Sequence, residues 1–375
     1  MAEVELQDIG KSYGRKTVLK NVDLQFEKGK FSVVFGAPVS GKSVLMRLIM
    51  GLEAPDSGRV LLRGKDVTRQ SAGARNFGYV PQSFALYPHY RVFDNIAYPL
   101  TLAHKSKESI RERVEPLAKK LRIDALLQKY PSQLSGGEKQ RVALARGIVK
   151  DSDIFILDDP LVGLDFKLRE QLFIDLRVML SEVDGTFIYT TSDPLETLAL
   201  ADDLFVLDDG GIIDRGSVER VYEEPATLRS LQLVGFPAAN VIPAQLVGDI
   251  CRSPFGEFEV QLDSLVESLS ARSIAIGFRP EAVLFGDNVR LEEALRIDGR
   301  ELLREDLGAE TILYFEAAGA RYVAYWSNGA PSPAICETFK VAIDPVNVCV
   351  FDGETGRRLG RGKDLHVGSA AGKRQ

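Results

Sequence analysis

At about 100 to 200 residues per domain, a chain of 375 residues is expected to hold two or three domains with ample core, which excludes one small module. Hydrophobic residues at 45% and charged residues at 27% match ordinary soluble globular proteins and exclude a disordered or fibrous chain. The formal net charge of -6, with no local basic patch, argues against nucleic acid as a partner.

The chain opens Met1-Ala2-Glu3-Val4-Glu5, which has neither the basic region nor the apolar segment of a signal peptide, so a cytoplasmic location is expected. From there to residue 235, short β-branched or aromatic runs alternate with helical stretches, the pattern of an α/β domain with a largely parallel sheet. Residues 31–35, 78–80, 154–157, 187–191 and 204–207 are the expected strands. An inserted helical subdomain is expected over about residues 84–134, because residues 106–128 interleave charges with Ile110, Val114, Leu117, Leu121 and Ile123. Asp208-Asp209-Gly210-Gly211 is a turn signal that closes this domain as a hairpin followed by a short helix. Beyond Gly235-Phe236-Pro237 the texture changes to short alternating runs, such as 273–278, 311–315 and 321–326, and predicts a second, mostly β domain over 236–367. Residues 368–375 read as a frayed tail. Cys251, Cys336 and Cys349 are far apart and outside any C-x-x-C pattern, so buried free thiols are expected rather than disulfides or a zinc site.

One motif carries chemistry by itself. After the strand 31–35 come Gly36, Ala37, Pro38, Val39, Ser40, Gly41, Lys42 and Ser43, then an apolar helical run that starts at Val44. This is G-x-x-x-x-G-K-S between a strand and a helix, the form of a nucleotide-binding phosphate loop. The glycines let the backbone curl so that its N–H groups and the helix N-terminus face a β-phosphate. Lys42 would neutralise phosphate oxygens and the Ser43 hydroxyl would hold magnesium. The plain alternative is a Gly-rich turn that serves packing alone.

Further segments follow in one order: Tyr79-Val80-Pro81-Gln82, Leu134-Ser135-Gly136-Gly137-Glu138-Lys139-Gln140-Arg141, Ile154-Phe155-Ile156-Leu157-Asp158-Asp159-Pro160, Gly163-Leu164-Asp165 and Tyr189-Thr190-Thr191-Ser192-Asp193. With the loop they resemble the ATPase subunits of ATP-binding cassette (ABC) transporters. Gln82, Phe84, Tyr87, Pro88, Val92, Asp94, Asn95 and Ile96 narrow the resemblance to the maltose-type carbohydrate importers. Gly277-Phe278-Arg279-Pro280-Glu281, Asp306-Leu307-Gly308-Ala309-Glu310 and Phe351-Asp352-Gly353-Glu354-Thr355-Gly356 resemble that subfamily's OB-like C-terminal regulatory (TOBE) domain. The resemblance implies an α/β P-loop NTPase domain with an inserted helical subdomain, followed by a mostly β OB-like domain, with ATP and Mg2+ as ligands.

It also implies roles. Tyr13 would stack on adenine, though it also reads as an exposed hairpin tyrosine. Gln82 would touch magnesium or the attacking water. Asp158 would bind magnesium through water. Ser135, Gly136, Gly137 and Glu138 would contact ATP held by a partner ATPase subunit. Asp165 would couple the two sites. Residues 84–91 would seat a helix of a membrane subunit, or form only a packed corner. Arg279 and Glu281 read as an internal ion pair.

The chain departs from the family at several positions. Asp159 stands where the family has glutamate, which withdraws the carboxylate by about 1.5 Å. Ser192 stands where a histidine contacts the γ-phosphate, and no histidine occurs between His104 and His366. Pro38 and Val39 replace serine and glycine, and Val44 replaces a threonine, which removes a backbone donor and a hydroxyl. The signature at 134–141 is intact. These departures predict the degenerate half of an ATPase heterodimer. It would serve a bacterial importer of sugars, polyols, glycerol or related solutes, peripheral to the cytoplasmic face of the inner membrane, with two permease subunits and, indirectly, a solute-binding protein. The alternatives are a homodimeric slow ATPase and a nucleotide-binding regulatory subunit with little hydrolysis. Cassette ATPases of DNA repair or translation fit the acidic balance poorly, and no guanine-reading N-K-x-D segment supports a GTPase.

Overall fold

Strand β1 (Ala2–Tyr13) turns at Gly14, whose φ of +60° suits glycine, into β2 (Lys16–Glu27). Both place alternate apolar residues inward: Val4, Leu6 and Ile9 on one, Leu19, Val22, Leu24 and Phe26 on the other. In the computed structural model, which describes residues 2–163, 169, 172, 173, 176, 180, 183–263, 272–285, 294–327 and 338–363, the chain forms two compact units, Met1–Val218 and Glu219–Gln375. The expected tail 368–375, Cys336 and Asp165 lie outside the described residues.

In the first unit, β1 and β2 join β4 (Ser57–Leu62) and β5 (Lys65–Asp66) in an antiparallel sheet of order β2-β1-β4-β5. Neither β1 nor β2 was among the expected strands. Bulges at Leu6/Ile9 and Ile9/Lys11 break their alternation, so the period of two is lost partway along each. The second sheet takes β3 (Phe31–Phe35), β6 (Gly78–Val80), β7 (Ile154–Asp158), β8 (Thr186–Thr191), β9 (Asp203–Asp208) and β10 (Gly211–Ser217) in the order β10-β9-β3-β8-β7-β6. It is parallel except at the β9–β10 hairpin. All residues of β7 and β8 are buried, as a sheet covered on both faces requires.

Helix α1 (Lys42–Met50) lies in the core between the sheets, with Leu45, Met46, Leu48 and Ile49 packed among Phe26, Val60, Ile156, Ile188 and Leu207. The Arg75 guanidinium, at the end of α2 (Ala72–Arg75), donates to Leu48 O at 2.7 Å and Ile49 O at 2.6 Å, which satisfies carbonyls at the C-terminal end of α1. Helices α3 (Val92–Leu102), α4 (Lys107–Lys120) and α5 (Gly136–Ile148) enclose a separate core of Ile96, Leu100, Val114, Leu121, Leu134 and Val142. Helix α6 (Pro194–Leu200) leads into the β9–β10 hairpin. No helix among the described residues is long and apolar enough to cross a membrane.

At the junction stands α7 (Val218–Glu223), and the second unit continues with α8 (Leu228–Leu233). Strands β11 (Asn240–Val247), β12 (Ile250–Ser253), β13 (Gly256–Leu262), β14 (Arg272–Phe278), β20 (Cys349–Asp352) and β21 (Arg358–Gly362) close a barrel of order β11-β12-β13-β21-β20-β14, an OB-like element. Between them run β15 (Val283–Phe285), β16 (Leu295–Asp306), β17 (Glu310–Ala317), β18 (Ala320–Ser327) and β19 (Thr338–Ile343), paired in the order β15-β19-β16-β17-β18. Residues 219–235, expected with the first domain, are tied by their contacts to the second unit. Leu231 packs with Cys349 and Phe351, and Arg279 donates to Leu231 O at 2.9 Å, Tyr222 O at 2.9 Å and Val234 O. Those carbonyls also displace the expected Arg279–Glu281 ion pair, since Glu281 instead accepts from the Tyr222 hydroxyl at 2.6 Å. A guanidinium 9% exposed satisfies more donors on converging carbonyls than on one carboxylate. Cys251 and Cys349 are buried free thiols, as expected.

Candidate functional site

The loop that leaves β3 is shaped by its glycines. A Cβ on Gly36 would meet Leu207 O at 2.4 Å, and Gly41, at φ +109°, caps α1. Between them Val39 also adopts a left-handed backbone at φ +69° and stands 85% exposed. The loop therefore keeps a conformation that a β-branched residue adopts only under strain. Lys42 is buried and folds back over the loop, donating to Gly36 O at 2.7 Å and Ala37 O at 3.1 Å. Burial pulls its ammonium pKa below the ordinary lysine value, opposed by Asp159 and Asp158. Among the described residues the Ser40 hydroxyl, which is buried, has no hydrogen-bond partner, and Val44 packs on the core.

Asp158 ends β7 and is 4% exposed, a cost that hydrogen bonds must offset. Its Oδ1 accepts from Ser43 Oγ at 3.1 Å and from Thr190 Oγ1 at 2.8 Å. Asp159 follows at φ +46°, and its N–H donates to Thr190 O at 3.1 Å and Thr190 Oγ1 at 2.9 Å. Burial above all pushes the Asp159 carboxyl up to about 6, with Lys42 and Arg169 opposing and Glu196 and Asp158 adding to the rise.

Ser192 is half-buried just past β8. Beside it a buried Glu196 accepts from Tyr189 Oη at 2.8 Å, Thr191 Oγ1 at 2.6 Å and Arg169 Nε at 2.9 Å, and Arg169 also pairs with Asp193. Asp193 caps α6 through Leu195 N at 2.7 Å and Glu196 N at 3.1 Å. Sequence reasoning missed Thr190, Arg169 and Glu196. Only Glu196 had a local signal, an acid three residues after a capping aspartate, as in a capping box.

The structure thus brings Gly36, Lys42, Ser43, Asp158, Asp159 and Ser192 to one end of the parallel sheet, where loops leave the strands β3, β7 and β8. The Ser43 hydroxyl and Asp158 carboxylate are hard oxygen donors that fit Mg2+. Among the described residues no group of three or more His, Cys, Asp or Glu side chains is placed to hold a metal, so any metal here would take further oxygens from water or phosphate.

Tyr13, 45% exposed, donates to Glu53 and has Lys11 Nζ 5.5 Å from its ring centroid. Gln82 is exposed on the loop after β6. At the start of α5, Ser135 and Glu138 satisfy each other: Ser135 Oγ accepts from Glu138 N at 3.3 Å and Glu138 Oε2 from Ser135 N at 2.7 Å. Gly136 is half-buried and Gly137 buried behind them. The 84–91 segment is held by the fully buried Asn95, which accepts from Tyr87 N at 2.8 Å and donates to the carbonyls of Tyr87, Tyr90 and Arg91, each at 3.1 Å. Arg146 reinforces it with bonds to Phe84 O and Ala85 O and a cation–π contact on Tyr87.

Known proteins resemble this chain over most of its length. Residues 19–162 match the family model described as ABC transporter. The sn-glycerol-3-phosphate import ATP-binding protein UgpC of Cereibacter sphaeroides is 35% identical over 96% of this chain and 100% of its own. The trehalose/maltose import ATP-binding protein MalK of Thermococcus litoralis is 32% identical over 96% of this chain and 100% of its own. Among solved structures, cbiO1 from Clostridium perfringens, part of the ABC transporter complex cbiONQ, superposes with a TM-score of 0.55 at 26% identity, covering 60% of this chain and 91% of that one.

Proposed function

The chain belongs to the ATP-binding subunits of ABC transporters, an ATPase family, and from that premise we propose that it energises uptake of a small polar solute such as a sugar, a polyol or sn-glycerol 3-phosphate. The observation that carries the reading is the junction of phosphate loop and acidic strand end, where Ser43 Oγ lies 3.1 Å from Asp158 Oδ1. There Lys42 would exchange its bonds to Gly36 O and Ala37 O for phosphate oxygens, while loop N–H groups hold the remaining charge. Ser43 and Asp158, with Gln82, would hold magnesium, which when bound supplies charge neutralisation at the phosphates.

Asp159 would accept a proton from the attacking water, and Ser192 would offer only a hydroxyl near the γ-phosphate. A carboxylate that is one methylene short, together with the absence of a cation at 192, supports slow hydrolysis at this chain's own site. Ser135, Gly136, Gly137 and Glu138 would complete the site of a second ATPase subunit, and Asp165 would link the two. The aromatic segment 84–91 would receive a helix from one of two permease subunits at the cytoplasmic face of the membrane, with a solute-binding protein acting from the far side. In this design the chain is the degenerate half of a heterodimer.

Gentle solubilisation of the tagged complex and intact mass spectrometry test the assembly. One copy each of this chain and a different ATPase subunit is expected. In that complex Asp159→Asn should leave most ATP turnover in place, while removal of the partner's catalytic acid should abolish it. Two copies of this chain alone, or the reverse mutational pattern, would overturn the degenerate-half reading.

A further inference from the structure

We propose that Thr190 is a positioning residue of this site, whose hydroxyl ties Asp158 and Asp159 together and thereby sets the affinity for the metal–nucleotide complex. The proposal rests on the nucleotide-binding reading above. Thr190 is 0% exposed in the interior of β8 and is the register partner of Asp158 on β7. Its hydroxyl donates to Asp158 Oδ1 at 2.8 Å and accepts from Asp159 N at 2.9 Å, while its carbonyl accepts from the same N–H at 3.1 Å. A single side chain therefore holds the carboxylate of one acid and the backbone of the next.

Both acids need the restraint. The Asp158 carboxylate takes side-chain hydroxyl bonds from Ser43 and Thr190. Ser43 opens the helix behind the loop and would turn toward a bound metal, whereas Thr190 is locked in the sheet. Asp159 sits at φ +46°, a conformation that costs an L-residue about 1 kcal/mol or more, and the paired bonds from its N–H hold it there. An aspartate side chain has little length with which to correct a misplaced backbone, so its reach depends on this anchor. Valine has the same shape, and burying a hydroxyl in a strand whose residues are all buried is unfavourable unless it is hydrogen-bonded, so the hydroxyl here answers to these two acids rather than to packing.

The test compares full-length wild type, T190V and T190S. Binding of Mn2+ in the presence of ATP is followed by electron paramagnetic resonance under conditions too cold for turnover, beside ATP binding in EDTA and thermal unfolding. T190V is expected to weaken Mn2+ binding about tenfold, the loss of one hydrogen bond to a charged group, with metal-free ATP affinity nearly unchanged and a melting temperature lower by about 2 to 8 °C, because Asp158 Oδ1 and Asp159 N each lose a buried partner. T190S, which keeps the hydroxyl, should recover to within about threefold of wild type. Equal Mn2+ affinity in wild type and T190V, a T190S defect as large as that of T190V, or a T190V chain that no longer folds would each overturn the proposal. Failure of the wild type itself to bind ATP in a metal-dependent way would instead overturn the functional reading on which it rests.

Discussion

Replacing Val39 with glycine isolates the strain in the phosphate loop. At φ +69° the valine pays roughly 1 to 2 kcal/mol or more for a left-handed backbone. Because the side chain is 85% exposed, its removal forfeits only a few tenths of a kcal/mol of burial. Glycine also frees the unfolded chain, which costs about 0.4 to 1 kcal/mol in the opposite direction. The balance runs from neutral to about 1 kcal/mol in favour of V39G, equivalent to a rise of about 0 to 4 °C for a unit of this size. Calorimetry resolves it, the relevant transition being the one that ATP shifts. If the loop keeps this left-handed turn with and without nucleotide, the strain cancels between the two states and ATP affinity should change by no more than about twofold. A fall in melting temperature beyond about 3 °C would refute the claim of strain, and a tenfold gain in ATP affinity would show that the turn is not shared by the free and bound loops.

Restoring the longer acid and the cation, as Asp159→Glu with Ser192→His, should raise this chain's own ATP turnover at least about tenfold in the assembled complex, measured with the partner's catalytic acid removed. Asn95→Ala takes away bonds to Tyr87, Tyr90 and Arg91, so hydrogen exchange at Tyr87 N should accelerate by about tenfold or more while α1 amides stay protected. Arg279→Lys cannot reach the carbonyls of Leu231, Val234 and Tyr222 at once or stack flat on the Tyr222 ring 4.0 Å away, and should destabilise the second unit by about 2 kcal/mol in urea titrations. Burial pushes the Cys251 thiol up to about 12 and also raises Cys349, so in a Cys336→Ser variant a thiol reagent should label neither at pH 8 until the chain unfolds.

Much of the site was readable because its chemistry is contiguous. Gly36, Gly41, Lys42 and Ser43 act through backbone curvature and a helix start, and strand–loop–helix order alone brings them together. The strands 31–35 and 154–157 announced themselves as apolar runs ending in Gly36 and in Asp158-Asp159, and the departures at Val39, Asp159 and Ser192 stood out beside them. The strands β1 and β2 did not, because bulges interrupt their alternation. Nor did the affiliation of residues 219–235, which depends on a guanidinium reaching carbonyls 45 to 57 positions earlier in the chain. Nothing local marks Thr190 as the anchor of an acid 32 residues away. That pairing exists because β8 lies between β3 and β7 in the sheet, and a buried carboxylate must take its donors from whichever strand the tertiary fold sets beside it.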